Sequence, residues 1–345
     1  MQLDKLNAIA EKMVTAGQGV LAADESTGTI GKRFTTINLE NTADNRRDWR
    51  ELLFRTKDAM RDHISGVILY DETLRQKAKD GTPLVDIIKS HDSLPGIKVD
   101  IGAKPMAGHM GETITEGLDG LRERLDEYFK LGARFAKWRA VIHISGSQDK
   151  HVMPTKGAIK ANTHALARYA SLCQEAGIVP IVEPEVLMDG DHDIAQCEAV
   201  TTHVLKSLYE ELHMLGVALE GTILKPNMVI SGKNNPVQAS PQEVAERTLS
   251  VLKNTVPVSV PGIAFLSGGQ SSEIASEHLN IMNQIGDFPW KMTYSYGRAL
   301  QQSTLLTWKG KAENYDAAQM AFHHRSKMNG LASLGQWKTS LDKAA

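Results

Sequence analysis

The 345-residue chain is 41% hydrophobic and 23% charged, ordinary values for a soluble globular protein that exclude wholesale disorder and permit a sizeable core. Lys and Arg (39) nearly balance Asp and Glu (41), for a formal net charge of −2. A surface built to track phosphodiester backbones carries a basic excess, so nucleic acid is not the expected partner. The two cysteines, Cys173 and Cys197, are too few for a disulfide framework and suit a reducing compartment. No apolar run approaches the roughly 18 residues of a membrane span, and Asp4 and Glu11 interrupt the amino-terminal segment, unlike a secretory signal. A cytoplasmic protein with no membrane partner is the expectation.

In chain order, Leu3, Leu6, Ile9, Ala10 and Met13 predict an amphipathic helix ending before Gly17. Short apolar runs then alternate with longer helical patterns. GVLAAD (19–24), SGVILYDE (65–72), GIKVDIG (96–102), RFAKWRAV (134–141), IVPIVEPEV (178–186), EGTILKPNMV (220–229), GIAFLSGG (262–269) and KMTYSYGR (291–298) read as strands. Between several of them lie helices: Leu118, Leu121, Leu125, Tyr128 and Phe129 closed by Gly132; Leu166, Tyr169 and Leu172 closed by Gly177; Ile274, Ile281, Met282 and Ile285 closed by Gly286. Parallel strands need crossovers of a dozen or more residues, which is the spacing found.

Eight strands alternating with helices predict an α/β protein, a single (β/α)8 TIM barrel with extra N- and C-terminal helices spanning residues 1–330. The length beyond the roughly 250 residues typical of that fold is placed in the first helix, the 40–60 segment and the helices after residue 298. A doubly wound open sheet would announce itself with a G-x-G-x-x-G turn, which is absent. The last stretch, NGLASLGQWKTSLDKAA, shows no clear periodicity, and residues 331–345 are expected to form a mobile or loosely docked tail.

Barrel strands are buried on both faces, so an ionisable residue within one is costly unless paired or functional. Such residues recur at the carboxyl ends of these strands: Asp24, Lys98, Lys137 with Arg139, Glu183 with Glu185, Lys225, and Arg298 just beyond the last. Any one could be a solvated stem. Five strands doing the same thing at the same end point instead to a shared cavity at the barrel mouth. Period-two alternation directs Lys137 and Arg139 to one side, and likewise Glu183 and Glu185.

Three lysines and three carboxylates suggest amine chemistry. No H-E-x-x-H or Cys/His cluster indicates zinc. The DGDHD run, with Asp189, Asp191, His192 and Asp193, reads as a helix opening capped by Asp191 or Asp193 in preference to a metal site. A lysine attacks a carbonyl only as the neutral amine, which burial and a neighbouring cation favour. Lys225, at the end of an apolar run and held extended by Pro226, is the best nucleophile, with Lys137 as the neighbouring cation. Glu183 can protonate a departing carbonyl oxygen, and Asp24 can deprotonate a hydroxyl. These pieces fit Schiff-base carbon–carbon chemistry.

Two segments speak for phosphate. Ser267-Gly268-Gly269-Gln270-Ser271 runs from a strand into a helix start, and Ser295-Tyr296-Gly297-Arg298 offers a forked guanidinium. ESTGTIGKRF (25–34) adds Lys32 and Arg33 but lacks P-loop spacing, so nucleotide binding is not supported. Cationic regions on opposite sides of the mouth would suit a substrate with a phosphate at each end.

The segments LAADESTGTIGKR, GIKVDIG, FAKWR, GIVPIVEPEVL, EGTILKPNMV, FLSGGQS and SYGRALQ resemble, in order and spacing over about residues 1–330, those of class I fructose-bisphosphate aldolases. The resemblance implies a usually tetrameric barrel that cleaves fructose 1,6-bisphosphate reversibly into dihydroxyacetone phosphate and glyceraldehyde 3-phosphate, with no metal or other cofactor. It implies Lys225 as the Schiff-base lysine, Glu183 as acid/base with Glu185 as companion carboxylate, Lys137 as the lysine supporting imine formation, and Asp24 as the group controlling proton removal at the C4 hydroxyl. Ser267, Gly268, Gly269, Ser295 and Arg298 match the positions that hold one phosphate; Arg33, Lys98 and Arg139 match those associated with the other end of the sugar. Animal members end in a tyrosine that serves enamine protonation, whereas the sequence closes on Asp342-Lys343-Ala344-Ala345 and its last tyrosine is Tyr315. The alternatives are another Schiff-base barrel aldolase or transaldolase acting on a sugar phosphate, and a non-catalytic barrel scaffold.

Overall fold

The computed structural model of the chain describes residues 2–146 and 151–343. Ten strands are present among the described residues: β1 (Gly19–Ala23), β2 (Ile64–Leu69), β3 (Leu94–Lys98), β4 (Ala103–Pro105), β5 (Thr113–Thr115), β6 (Phe135–Ile142), β7 (Val179–Val186), β8 (Ile223–Leu224), β9 (Gly262–Phe265) and β10 (Lys291–Tyr296). Eight of them close into a parallel barrel in the order β1-β10-β9-β8-β7-β6-β3-β2, and helices connect them. All eight strand expectations and the (β/α)8 barrel are met.

Alternation sorts each strand's side chains between two apolar layers. Inward-facing Val20, Ala22, Ile68, Phe135, Val179, Ile181, Ile223 and Ala264 cluster with Leu6, Ala10, Met13 and Val14. The amphipathic helix Leu3–Met13 therefore plugs the amino end of the barrel. Outward-facing Leu21, Ala136, Trp138, Val182, Leu224 and Ile263 instead join the larger core beneath the helices. Phe135 fills the barrel interior only because its neighbours yield space: a Cβ added at Gly96 or Gly66 would overlap its ring. The predicted helix ends also hold. Leu121–Lys130 and Lys156–Glu175 are followed by Gly132 (φ 108°) and Gly177 (φ 74°), left-handed conformations that glycine adopts without penalty.

Two features lie outside the alternating strand–helix pattern. The antiparallel hairpin β4–β5 is inserted between β3 and β6; its three-residue strands, one of them wholly exposed, are too short to show alternation. In the tail, expected to be mobile or loosely docked, residues 331–343 touch the body of the protein at a few points. The helix Tyr315–Ser333 runs into it, Trp337 is buried, and Trp337 N–H donates to Asn280 Oδ1 at 2.9 Å. Asp342 accepts from Arg325 Nη1 (2.6 Å) and Trp337 Nε1 (2.9 Å). A few single anchors hold this segment where an apolar stripe would have given periodicity. Ala344 and Ala345 lie outside the described residues.

Candidate active site

The alternation that fills the lower barrel with apolar groups continues upward into ionised ones. Phe135 on β6 is followed on the same face by Lys137 and Arg139, and Ile181 on β7 by Glu183 and Glu185. Ile223 on β8 leads to Lys225, and Ala22 on β1 to Asp24. Parallel register places Arg139 beside Glu183 and Lys98 beside Lys137. These groups open onto a cavity of about 850 Å³ at the carboxyl ends of the strands. Every site residue read from the sequence lines it: Asp24, Arg33, Lys98, Lys137, Arg139, Glu183, Glu185, Lys225, Ser267, Gly268, Gly269, Ser295 and Arg298. A second hollow of about 890 Å³ lies on the outer surface; in it Arg75 pairs with Asp71 and Glu127 and Arg124 donates to backbone carbonyls.

At the cavity floor runs a chain of alternating charge. Lys137 Nζ lies 2.8 Å from Asp24 Oδ2 and 3.3 Å from Glu183 Oε2, and Glu183 Oε1 lies 3.2 Å from Lys225 Nζ. Lys137, Glu183 and Lys225 are each at most 4% exposed. Two cations and two anions cancel formally, which offsets the cost of taking them from water. Burial alone would raise the Asp24 pKa, yet Lys137, Lys225 and Lys98 together hold it far below the usual carboxylate range. Burial pushes Glu183 the same way and is likewise outweighed, by Lys137, Lys225 and Arg139, so it too titrates low. For Lys137 burial favours the neutral amine, but Asp24 and Glu183 prevail and push its pKa up. Lys137 is thus a permanent cation, as expected. Glu183, expected to act as a carboxylic acid, is held as a carboxylate.

Around this floor the remaining charges are tethered. Glu185 pairs with Arg139. Lys98 Nζ donates to the Asp100 carbonyl and to its Oδ1, both at 2.6 Å, while Asp100 also accepts from the backbone of Gly102 and Arg139. Arg33, on the helix Thr27–Thr35, pairs with Glu25, which is fixed from below by Arg50 at 2.6 Å and Gln301 at 3.1 Å. On the other side, Gly268 (φ 54°) and Gly269 (φ 72°) shape the turn into the helix Ser272–Ile285, whose amino end favours anions. Ser295 Oγ is buried beside them without a hydrogen-bond partner among the described residues.

The loop after β9 and the end of β3 stand four strands apart in the eight-strand ring, directly opposite. Lys98 therefore faces this turn across the mouth, whereas Arg33, expected on the opposite side, follows β1, the neighbour of β10, and its Nη2 lies 3.5 Å from where a Cβ on Gly297 would stand. Asp193 caps the helix Ile194–Met214 with a reciprocal bond to Gln196, the cap reading of the DGDHD run. Among the described residues no three His, Cys, Asp or Glu side chains are grouped to hold a metal ion.

Several lining residues were not singled out from the sequence, among them Glu25, Ser26, Thr29, Asp100, Met188 and Lys233. Asp100 was legible, since it follows Lys98 at period two. Lys233 lies in an irregular loop where no periodicity marks it.

Fold and cavity together define a (β/α)8 enzyme with a buried amine–carboxylate site for a carbonyl substrate bearing anionic groups. A family model described as Fructose-bisphosphate aldolase class-I matches residues 5–345. A Xanthomonas campestris protein named probable fructose-bisphosphate aldolase class 1 is 56% identical over 98% of this chain and 100% of its own length. Fructose-bisphosphate aldolase 6, cytosolic, of Arabidopsis thaliana is 55% identical over 97% of this chain and 92% of its own. A solved structure of fructose-bisphosphate aldolase from Plasmodium falciparum, in complex with TRAP and an inhibitor, superposes with a TM-score of 0.95 at 48% identity, covering 97% of this chain and 96% of that one. The chain belongs to the class I fructose-bisphosphate aldolase family.

Proposed function

We propose that Lys225 is the amine through which this enzyme cleaves fructose 1,6-bisphosphate, with Glu183 as its proton partner. The observation that carries this reading is the 3.2 Å approach of Lys225 Nζ to Glu183 Oε1 in a buried, charge-compensated cluster. Glu183 takes a proton from Lys225, and the freed amine attacks the C2 carbonyl of the open-chain ketose. The protonated Glu183 then returns that proton to the carbinolamine hydroxyl, which leaves as water. The iminium that remains is an electron sink. Asp24 accepts the C4 hydroxyl proton, the C3–C4 electron pair flows toward the iminium nitrogen, and glyceraldehyde 3-phosphate departs. A proton is added at C3 of the enamine, balancing the one lost from O4, and hydrolysis frees dihydroxyacetone phosphate and the lysine.

Lys137, permanently charged between Asp24 and Glu183, orients both carboxylates and stabilises negative charge as it develops. Ser267, Gly268, Gly269, Ser295 and Arg298 take one phosphate; Arg33, Lys98 and Arg139, with Glu185 positioning Arg139, serve the opposite end of the sugar. Cations on both sides favour the bisphosphate over singly phosphorylated sugars. Comparing kcat/KM for fructose 1,6-bisphosphate and fructose 1-phosphate tests this: preference for the bisphosphate is expected, and equal values would remove the role given to Arg33, Lys98 and Arg139. Family membership also supports a homotetramer, and relatives named cytosolic support a cytoplasmic location. No described helix is long and apolar enough to cross a membrane.

A further inference from the structure

We infer that Lys233 is a further binding residue of this site, a second cation beside Arg298 for the phosphate next to the ketose carbonyl; the inference rests on Lys225 being the Schiff-base lysine. The backbone of Lys233 is stitched to the loop that follows β7. Gly232 N–H donates to His192 O, Lys233 N–H to Met188 O and Asn234 N–H to Gly190 O, each at 2.8 Å. A Cβ at Gly232 would lie 2.5 Å from Gly190 O, so the two segments are in close contact and the Lys233 Cα is fixed. From there the side chain reaches over the turn after β9. The point where a Cβ on Gly269 would stand is 3.2 Å from Lys233 Cε and 3.2 Å from Arg298 Nη2. Both side chains line the catalytic cavity.

The partner of Lys233 is exchangeable. Its Nζ lies 3.1 Å from Asp189 Oδ1, and the two side chains are 49% and 61% exposed. A half-exposed pair of this kind is worth little, and a phosphate dianion offers more charge and more acceptor oxygens than the single carboxylate. The phosphate in question follows from connectivity. β8 and β9 are hydrogen-bonded neighbours, and Leu266 N–H donates to Pro226 O at 3.1 Å, so the turn at 267–269 adjoins Lys225. With C2 bonded to Lys225, the C1 phosphate is one carbon away and falls on this turn. The C6 phosphate lies at the far end of the chain.

The test is steady-state kinetics in the condensation direction, with K233M, K233R and D189N beside the parent enzyme. K233M should raise KM for dihydroxyacetone phosphate about five- to tenfold, as expected for a half-exposed charge-assisted contact, while leaving KM for glyceraldehyde 3-phosphate and kcat within about twofold. K233R should restore most of the loss. D189N, which removes the competing carboxylate, should leave KM for dihydroxyacetone phosphate unchanged or lower it. An unchanged KM in K233M, an effect on glyceraldehyde 3-phosphate instead, or a rise in D189N equal to that of K233M would overturn the inference, the last because it marks the pair as a structural tie. Borohydride trapping of each variant with dihydroxyacetone phosphate separates this failure from that of the underlying reading. If Lys225 is not the Schiff-base residue, the parent enzyme itself gives no adduct there; if only the Lys233 inference fails, every variant traps on Lys225.

Discussion

Lys225 Nζ and Glu183 Oε1 stand 3.2 Å apart at the top of two neighbouring strands, β8 and β7, whose lower residues are wholly apolar. A carboxylate so placed can take the proton that keeps the amine unreactive and spend it again when water must leave. Glu183→Gln keeps the shape and removes the basicity. The expected result is a fall in kcat of roughly 10²- to 10⁴-fold, with KM changed far less and a matching slowing of adduct formation. A kcat near that of the parent enzyme would take Glu183 out of the proton path.

The turn proposed to hold phosphate depends on backbone that only glycine adopts easily. Gly269 has φ 72°, and a Cβ there would come within 2.5 Å of Met188 Cε. Gly269→Ala should strain the turn by about 1–2 kcal/mol and raise KM for the bisphosphate several-fold, with a smaller change in kcat. An unaltered KM would show that the turn does not hold phosphate.

A pH effect is built in behind this turn. His278 Nδ1 lies 2.5 Å from Gln270 Oε1, and Gln270 Nε2 donates to Ser267 O at 2.8 Å, so the imidazole braces the loop. Burial lowers its pKa to about 4. Between the unfolded value near 6.5 and 4, the unfolded chain binds more protons than the folded one. His278 therefore costs stability as pH falls through that window, by roughly 3 kcal/mol in full, and costs nothing above it. Melting curves of the parent enzyme and His278→Gln should converge in their pH dependence once this contribution is subtracted, the variant losing less Tm from pH 6.5 to 4. Parallel losses would show that His278 titrates normally.

The tail offers a stability test remote from the chemistry. Arg325, itself buried, spends one nitrogen on Asp342 at 2.6 Å and another on Ser276 Oγ at 2.9 Å. Asp342→Ala removes the nearest counter-charge of that guanidinium, leaving Glu273 Oε1 at 3.9 Å, and a loss of up to roughly 3 kcal/mol is expected, read as a lower Tm with kcat at 25 °C preserved. An unchanged Tm would mean that the tail is not clasped through this pair.

The fold and most of the site were legible because they obey one rule, alternation with period two. Residues 135, 137 and 139, or 179, 181, 183 and 185, announce both a strand and the face on which its charges lie. The Gly132 and Gly177 stops were equally plain, since a left-handed residue ends a helix. What escaped notice follows no period. Trp337 and Asp342 dock by single contacts, β4–β5 is too short to alternate, and Lys233 reaches the cavity from a loop whose path depends on pairing with residues 188–192. Glu25 was in view within the ESTGTIGKR run, but its bonds to Arg50 and Gln301 come from distant parts of the chain.

Sodium borohydride reduction with dihydroxyacetone phosphate, followed by peptide mass mapping, tests the covalent route most directly. One adduct per chain on Lys225, absent from Lys225→Ala, is the predicted result. An adduct on Lys137 or Lys98, or turnover by Lys225→Ala at the parent rate, would contradict it.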